Sequence, residues 1–482
     1  MSPDDAPGII AKTEGAVPYY VEKGQAHPRA VHGLFRRIKW LVSLGLIAWW
    51  HLAPLMRWDR GPGMPDQAIL IDMTGRRAYF FFIEIWPQEV YYLTGLLLIA
   101  AIALFLMSAV AGRLWCGYLC WQTVYTDLFV EMERLILGDR ARRLALDQAP
   151  LSLGKLARHG LVKVSWLLIA AACGISFVLY FGDAFTMARE IFTGQASATT
   201  YQAILIVGGM CFLLAGFARE RVCVYMCPYS RFQAAMVDEH SLIVTYDVPR
   251  GEPRGPLDPA KGFTERGHCV DCRMCVVSCP TGIDIRHGNQ LACIGCGLCV
   301  DACNAVMDRF HLPRGLVSYV SEYDLLRRTE GLPPSSRIIR PRTLIYTAIL
   351  FLVASAILVA LTTRATTKVN LLHERAPLFV ELSGGAIRNG YTYKILNMTS
   401  QERSYILELD GLADTRFDVV GGAHQTTSTR LTVDRNAVGT FRLYVTAPAS
   451  ALKSSADSIT FVLKAEDDPT HPIRSETLFA GP

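Results

Sequence analysis

Residues 268–304 read HCVDCRMCVVSCPTGIDIRHGNQLACIGCGLCVDACN. Eight of the chain's 14 cysteines fall in this stretch, in two copies of one spacing. Cys269, Cys272, Cys275 and Cys279 form the first copy, with Pro280 behind it; Cys293, Cys296, Cys299 and Cys303 form the second. Both are C-x2-C-x2-C-x3-C. In that pattern three thiolates wrap one corner of an iron–sulfur cubane and the fourth reaches across to the neighbouring cluster. The spacing therefore assigns Cys269, Cys272, Cys275 and Cys303 to one 4Fe–4S cluster, and Cys293, Cys296, Cys299 and Cys279 to another. Zinc prefers its ligands in two pairs, which consecutive triplets do not supply. Disulfides need an oxidising compartment, and the topology read below places the stretch on the reducing side. Electron transfer is the default use of two such clusters.

The surrounding chain is too long for one ordinary domain, at 482 residues. Its hydrophobic share of 51% and mean hydropathy of +0.25 point to membrane spans joined to polar domains. A net charge of +5 without a long basic run gives no case for nucleic acid. No apolar leader is visible in the first 35 residues, which are expected to form a loose cytoplasmic tail. Apolar runs follow at roughly 38–56, 90–110, 161–181, 203–217 and 343–361, five expected spans. The expected domains are a four-span region over 36–245, the cluster module over 246–336, a fifth span over 337–365 and an outer domain over 374–482.

Charge orients the spans. Arg113, Arg134, Arg140, Arg142, Arg143, Lys155 and Arg158 follow the second run, whereas only Arg189 follows the third. Arg219, Arg221 and Arg231 follow the fourth, and Arg337, Arg340 and Arg342 precede the fifth. The positive-inside rule then places the N-terminus and the cluster module in the cytoplasm of a bacterial inner-membrane protein, with the C-terminal domain in the periplasm. On the outer side, AILIDMTGRRAYFFFIEIW (68–86) reads as two short strands around Thr74–Gly75, with Trp58 and Trp86 at the interface. Pro249, Pro253, Pro256 and Pro259 mark a linker into the cluster module. From about Glu374, segments such as YTYKILNMTS, SYILELDGL and SITFVLKAE alternate apolar and polar residues. They predict an immunoglobulin-like sandwich of about seven strands without a disulfide. The Asn397-Met398-Thr399 sequon is read as chance.

Four further cysteines form a repeat. Cys116-Gly-Tyr118-Leu-Cys120 follows the second run, and Cys223-Val-Tyr225-Met-Cys227-Pro228 follows the fourth. Both are C-x-Y-x-C beside an arginine, so a two-helix unit has the marks of duplication. On a helix, the i, i+4 spacing would put each pair of thiols on one face, and nearby arginines and helix ends would lower their pKa values. The expected site is a copper or redox thiolate centre of two to four sulfurs. Cys173 and Cys211 stand alone mid-span and read as packing residues, as do His51, Met56 and Met73.

Taken together, IWPQEVYYLTG (85–95), WCGYLCWQTVYTD (115–127), VCVYMCPYSRFQ (222–233), the double cluster motif and NGYTYKILNMTS (389–400) resemble the FixG/CcoG family of cytochrome c oxidase accessory proteins. The resemblance implies two 4Fe–4S clusters and a cupric reductase acting in assembly of a cbb-type oxidase. Cys116, Cys120, Cys223 and Cys227 would then handle copper. Implied partners are the oxidase, copper-insertion chaperones, a cytoplasmic electron donor and membrane lipid, with a homodimer as one assembly. Where the family pattern reads C-x3-C-P, Trp121 replaces the first proline. Two alternatives stand beside the reductase. One is a quinol-coupled electron-transfer protein of the NapH/NosR type, and the other is a non-enzymatic assembly scaffold.

Overall fold

The computed structural model describes residues 27–482 apart from 257–261, 264–265, 336, 400 and 423. Residues 1–26 of the expected tail lie outside the described residues. The part that follows is anchored rather than loose. Arg29 N–H donates to Val277 O at 2.8 Å, Ala30 N–H to Asp139 Oδ1 at 3.0 Å, and the Arg143 guanidinium to Pro28 O at 2.7 Å. A polar segment with few apolar side chains is tied down here by its backbone groups, which hydropathy does not register.

Among the described residues, five helices are long and apolar enough to cross a membrane: Leu34–Leu55, Pro87–Ala111, Leu153–Phe181, Ala198–Ala218 and Pro341–Thr362. They coincide with the five expected runs to within about five residues at each end, except that the third starts eight residues earlier, at Leu153. This is a membrane protein. Leucines such as Leu96, Leu97, Leu167, Leu168 and Leu205 remain exposed on their outer faces, as lipid contact requires. The third and fourth spans pack through small residues. A Cβ on Gly174 would meet Ile204 O at 2.6 Å, and one on Gly208 would meet Ala170 O at 2.9 Å. Small residues at the crossing let the two backbones approach.

An unexpected helix, Trp121–Leu137, fills the bundle between the second and third spans. Phe129 stacks on Trp166 at 5.5 Å, and the Trp166 indole N–H donates to Phe129 O at 3.0 Å. One turn further, Glu133 accepts from Arg143 at 3.2 Å and from Arg219 at 3.0 Å, all three being buried. Its charge and length hide it from a hydropathy reading, because its acidic positions face internal cations and not water. The segment after the first span, expected to form two strands, forms a three-stranded antiparallel sheet, Ile69–Asp72, Arg77–Phe80 and Ile83–Ile85. The expected turn lies between the first two strands, where Asp72 Oδ1 accepts from the N–H groups of Thr74 and Gly75.

The cysteine-rich module is closed by two antiparallel strands, Ile243–Tyr246 and Val317–Val320. Its helix Leu298–Arg309 carries Cys299 and Cys303 on the buried side. The module meets the first span end-on. Asp301 Oδ2 accepts from Arg36 N–H at 2.8 Å, and its Oδ1 from Phe35 N–H at 3.3 Å. A carboxylate from the module thus caps the start of a membrane helix, where donors are otherwise unmatched and the dipole favours negative charge.

The C-terminal unit, residues 358–482, is a two-sheet antiparallel sandwich. One sheet orders Arg416–Val419, Ala437–Pro448, Ala386–Asn397 and Thr367–His373, with Val380–Glu381 added to the third of these. The other orders Ser428–Val433, Arg403–Asp410, Ala456–Ala465 and Asp468–Ala480. That makes nine strands, because Thr367–His373 and the two-residue piece join the sandwich too. Tyr391, Tyr393, Leu407, Phe417, Leu443 and Phe461 fill the space between the sheets. The Asn397 side chain is buried and donates to Gln401 O at 2.8 Å, so it serves a turn and not a glycan.

Candidate electron-transfer site

The eight module cysteines gather in two groups. Cys275 and Cys303 lie against each other with Cys272 beside both and Cys269 beside Cys303. These four line one pocket. Cys279 crosses to Cys293, Cys296 and Cys299, and this second set lines another pocket together with Cys275. Each group draws its fourth member from the other copy of the repeat. Burial pushes the Cys275, Cys293 and Cys303 thiols up to about 12. Four converging sulfurs around a largely apolar pocket fit an iron–sulfur cluster in each place. Metal binding would displace the protons that burial holds on these thiols. Arg286 pins the loop between the copies, bonding Asp284 at 2.6 Å and also Asp271.

The second set of cysteines converges as well. Each C-x-Y-x-C segment is one π-helical turn, Trp115–Leu119 and Val222–Met226, closed by Cys120 N–H to Trp115 O at 2.9 Å and Cys227 N–H to Val222 O at 2.8 Å. The two thiols of a pair therefore do not share an α-helical face. The first lies in the turn, and the second sits at its extended exit. Cys116, Cys120, Cys223 and Cys227 are electrostatic neighbours across the two copies. Their expected activation by arginine is reversed for the two inner thiols. Burial pushes Cys116 up to about 11 against the pull of Arg113, and Cys223 up to about 12. Cys116 Sγ instead donates to Gln233 Oε1 at 2.8 Å, and Gln233 is held by Ser108 Oγ at 3.3 Å.

This thiol centre abuts the cluster module. Cys116 and Cys223 pack with Ile294, Cys296 and Leu298 in one buried group. Gly117 lies so close to the 294–296 backbone that a Cβ there would meet Gly295 O at 2.8 Å and Ile294 O at 2.9 Å. The Tyr118 hydroxyl donates to Cys296 O at 2.9 Å, and the Tyr319 hydroxyl to Gly295 O at 2.5 Å. The Arg113 guanidinium bonds Leu291 O. Trp121, in the place of the usual proline, starts the helix Trp121–Leu137, much as Pro228 leads into the helix Tyr229–Met236. The substitution leaves the turn geometry matched in both copies.

Cys173 and Cys211, read as isolated, share one buried group at the meeting of the third and fourth spans. No local sequence spacing could pair them. Met73, by contrast, is exposed in the turn between Ile69–Asp72 and Arg77–Phe80.

Comparison with known proteins follows this geometry. A model described as a 4Fe-4S dicluster domain matches residues 218–322, and one described as the IG-like fold at the C-terminal of FixG matches 357–482. A third, a 4Fe-4S binding domain, matches 93–140. Nitrogen fixation protein FixG of Rhizobium meliloti is 40% identical over 484 residues, covering 94% of this chain and 92% of that one. The chain belongs to the FixG family. Protein RdxB of Cereibacter sphaeroides is 41% identical over 467 residues, covering 96% and 97% of the two chains. Protein RdxA of the same organism is 42% identical over 437 residues, covering 89% and 91%. Like these FixG-family chains in length, it is an iron–sulfur electron-transfer protein of the membrane.

Proposed function

We propose that this FixG-family chain is a cupric reductase serving assembly of a cbb-type cytochrome c oxidase, with Cys116, Cys120, Cys223 and Cys227 as the copper-handling residues. The observation that carries the reading is the packing of Cys116 and Cys223 against the loop of Cys296. Cys269, Cys272, Cys275 and Cys303 hold one 4Fe–4S cluster, and Cys279, Cys293, Cys296 and Cys299 the other. When bound, the clusters supply single electrons, which is what Cu(II) needs to become Cu(I). The four thiols bind the copper substrate as thiolates, and their softness favours the reduced ion over the oxidised one. Gln233 holds Cys116 oriented until the metal displaces its proton. The apolar wall of Ile294 and Leu298 keeps water from the space between thiols and module. In this reading the clusters face the cytoplasm and an electron donor there. The sandwich faces the periplasm, toward the oxidase and copper-insertion chaperones.

The test is anaerobic Cu(II) reduction by the purified holoprotein against the Cys116→Ser, Cys120→Ser, Cys223→Ser, Cys227→Ser variant. Lost reduction with unchanged iron content is expected. Undiminished reduction would sink the assignment. One observation favours a second reading. The 4Fe-4S model over 93–140 spans only Cys116 and Cys120 among the cysteines, so these four thiols are themselves candidates to hold an iron–sulfur centre. The same variant separates the two, because that reading requires its iron content to fall.

A further inference from the structure

Of the eight module cysteines, Cys272 is exposed and the others are buried or half-buried. Two bends hold it at the surface. Asp271 and Arg273 flank it with φ of 52° and 55°, the left-handed region that residues other than glycine seldom enter. The Arg286 guanidinium fixes Asp271, and Arg273 O accepts from Val276 N–H at 3.0 Å and from Val277 N–H at 3.1 Å. Backbone held in this region gathers at functional sites. The first group of cysteines thus has an edge at the surface, whereas the second meets the thiol centre through Cys296.

Arginines ring that edge. Arg273 is exposed and lines the pocket of Cys269, Cys272, Cys275 and Cys303. Arg29 is exposed too, and its guanidinium donates to Met274 Sδ at 3.2 Å. The Arg266 guanidinium donates to Cys269 O at 2.9 Å, and that of Arg250 to His268 Nδ1 at 2.9 Å and Arg314 O at 3.0 Å. Among the described residues none of these four cations has a carboxylate at ion-pair distance, so neutral groups position them and leave their charge in place. The patch also lies away from the first span. The helix Leu298–Arg309 starts against Phe35, which a Cβ on Gly297 would meet at 2.8 Å, and runs for 12 residues, about 18 Å, toward the 313–314 carbonyls that Arg250 binds. That distance favours an occupant from solution over a lipid headgroup. A cluster ligand exposed among unpaired cations suits a partner that carries both electrons and negative charge, because complementary charge steers the encounter and sets its register.

We propose that the edge around Cys272, with Arg29, Arg250, Arg266 and Arg273, is the docking surface of a small acidic electron-carrier protein that reduces the first cluster. The step is transfer of one electron from the reduced carrier, which leaves oxidised, and no bond is made or broken. The proposal rests on the iron–sulfur reading of the module and does not involve copper. It gives the module a direction: electrons enter at the group of Cys272 and leave by the group of Cys296, beside the thiol centre.

The experiment uses full-length holoprotein in detergent, with a plant-type 2Fe–2S ferredoxin as the acidic probe. In the Arg29→Glu, Arg273→Glu variant the affinity for oxidised ferredoxin, read by calorimetry at low salt, is expected to fall about tenfold or more, and the rate of cluster reduction by reduced ferredoxin to fall with it. Added salt should weaken binding steeply in the wild type and little in the variant. Iron content, and reduction by methyl viologen radical (a small cation that needs no docking surface), should be unchanged, which separates a lost surface from a damaged cluster. Arg29→Gln, Arg273→Gln should show a smaller fall, and keeps the test valid if charge reversal costs iron. Arg158→Glu, at an exposed arginine elsewhere, should leave ferredoxin affinity unaltered. No binding by the wild type, or equal affinity in wild type and both double variants, would overturn the proposal. So would binding of short-chain phosphatidylglycerol that depends on Arg29 and Arg273 while ferredoxin binding does not. The calorimetry needs neither copper nor the four thiols, so failure of the reductase reading leaves this result standing.

Discussion

Gly117 is the point at which the thiol centre touches the cluster module, and a single methyl group tests whether that contact matters. The glycine is not needed for its backbone conformation; it is needed for room. In Gly117→Ala the new Cβ would sit 2.8 Å from Gly295 O, 2.9 Å from Ile294 O and 3.0 Å from Cys296 Cα. All three neighbours are backbone atoms, so no side chain can swing aside. Reaching ordinary contact at 3.4 Å requires the 294–296 loop and the π-turn to part by about 0.6 Å. Overpacking of this kind costs about 1–3 kcal/mol. The bond from the Tyr118 hydroxyl to Cys296 O, now 2.9 Å, would stretch, at about 1 kcal/mol if lost.

Two measurements check this on holoprotein in detergent. Thermal unfolding should move down by a few degrees. Stopped-flow reoxidation of reduced clusters by Cu(II) should slow, with iron content unchanged. Gly117→Val, which installs the residue found at the matching place of the second copy, Val224, should do more of both. Val224→Gly, at the matching half-buried position of the second copy, should do little. Normal stability together with normal reoxidation in Gly117→Ala would refute the tight approach. Lowered stability with normal reoxidation would show that the contact is structural and that electrons take another route.

Further outcomes follow from other parts of the molecule. Glu133→Gln leaves Arg143 and Arg219 buried without their shared anion, and should cost about 3–5 kcal/mol, read as a large fall in thermal stability. Cys303→Ser should halve the iron and spare the group around Cys293, Cys296 and Cys299, as judged by EPR of the reduced protein. Loss of signal from that other group instead would contradict the crossed grouping. Asp238 is one pH-sensitive joint. Burial raises its pKa, but the hydrogen bond and charge of Arg340 outweigh it, holding the carboxyl below its ordinary value. A depressed carboxylate contributes stability above about pH 4 and loses it as pH falls through the folded value. Acidification through that range should therefore destabilise the wild type more than Asp238→Asn, as measured by thermal unfolding against pH.

Much of this was legible in the chain because the informative signals were local. Cysteine spacing fixed the two groups in the module, and continuous apolar runs fixed the five spans. What escaped depended on partners distant in sequence. The helix Trp121–Leu137 looked like a charged loop because Glu133 meets Arg143 and Arg219, and Arg36 meets Asp127, only in the folded bundle. Residues 27–33 looked loose because backbone bonds to Val277 and Asp139 leave no trace in hydropathy. The C-x3-C spacing suggested an α-helical face, yet both copies close as π-turns, and nothing in five residues distinguishes an i+4 bond from an i+5 bond. The Cys116 and Cys223 pKa values moved opposite to expectation because burial outweighs the nearby Arg113, and burial is a property of the whole fold.

The duplicated turn explains how four thiols come to one place, and its asymmetry explains how they meet the module. A π-turn widens the helix by one residue, so each copy presents its first cysteine from within the turn and its second at the exit. Two such turns facing each other gather Cys116, Cys120, Cys223 and Cys227 without any ligand residue on a flexible loop. Only the first copy then diverges where it must. Glycine replaces valine at position 117 because the cluster backbone lies against it, and Tyr118 donates to Cys296 O while Tyr225 in the second copy is exposed. The first copy makes the close backbone approach to the cluster module, and the second reaches the same group of side chains through Cys223. A duplicated unit kept only for packing would have no reason to differentiate at the two positions that touch the cluster loop.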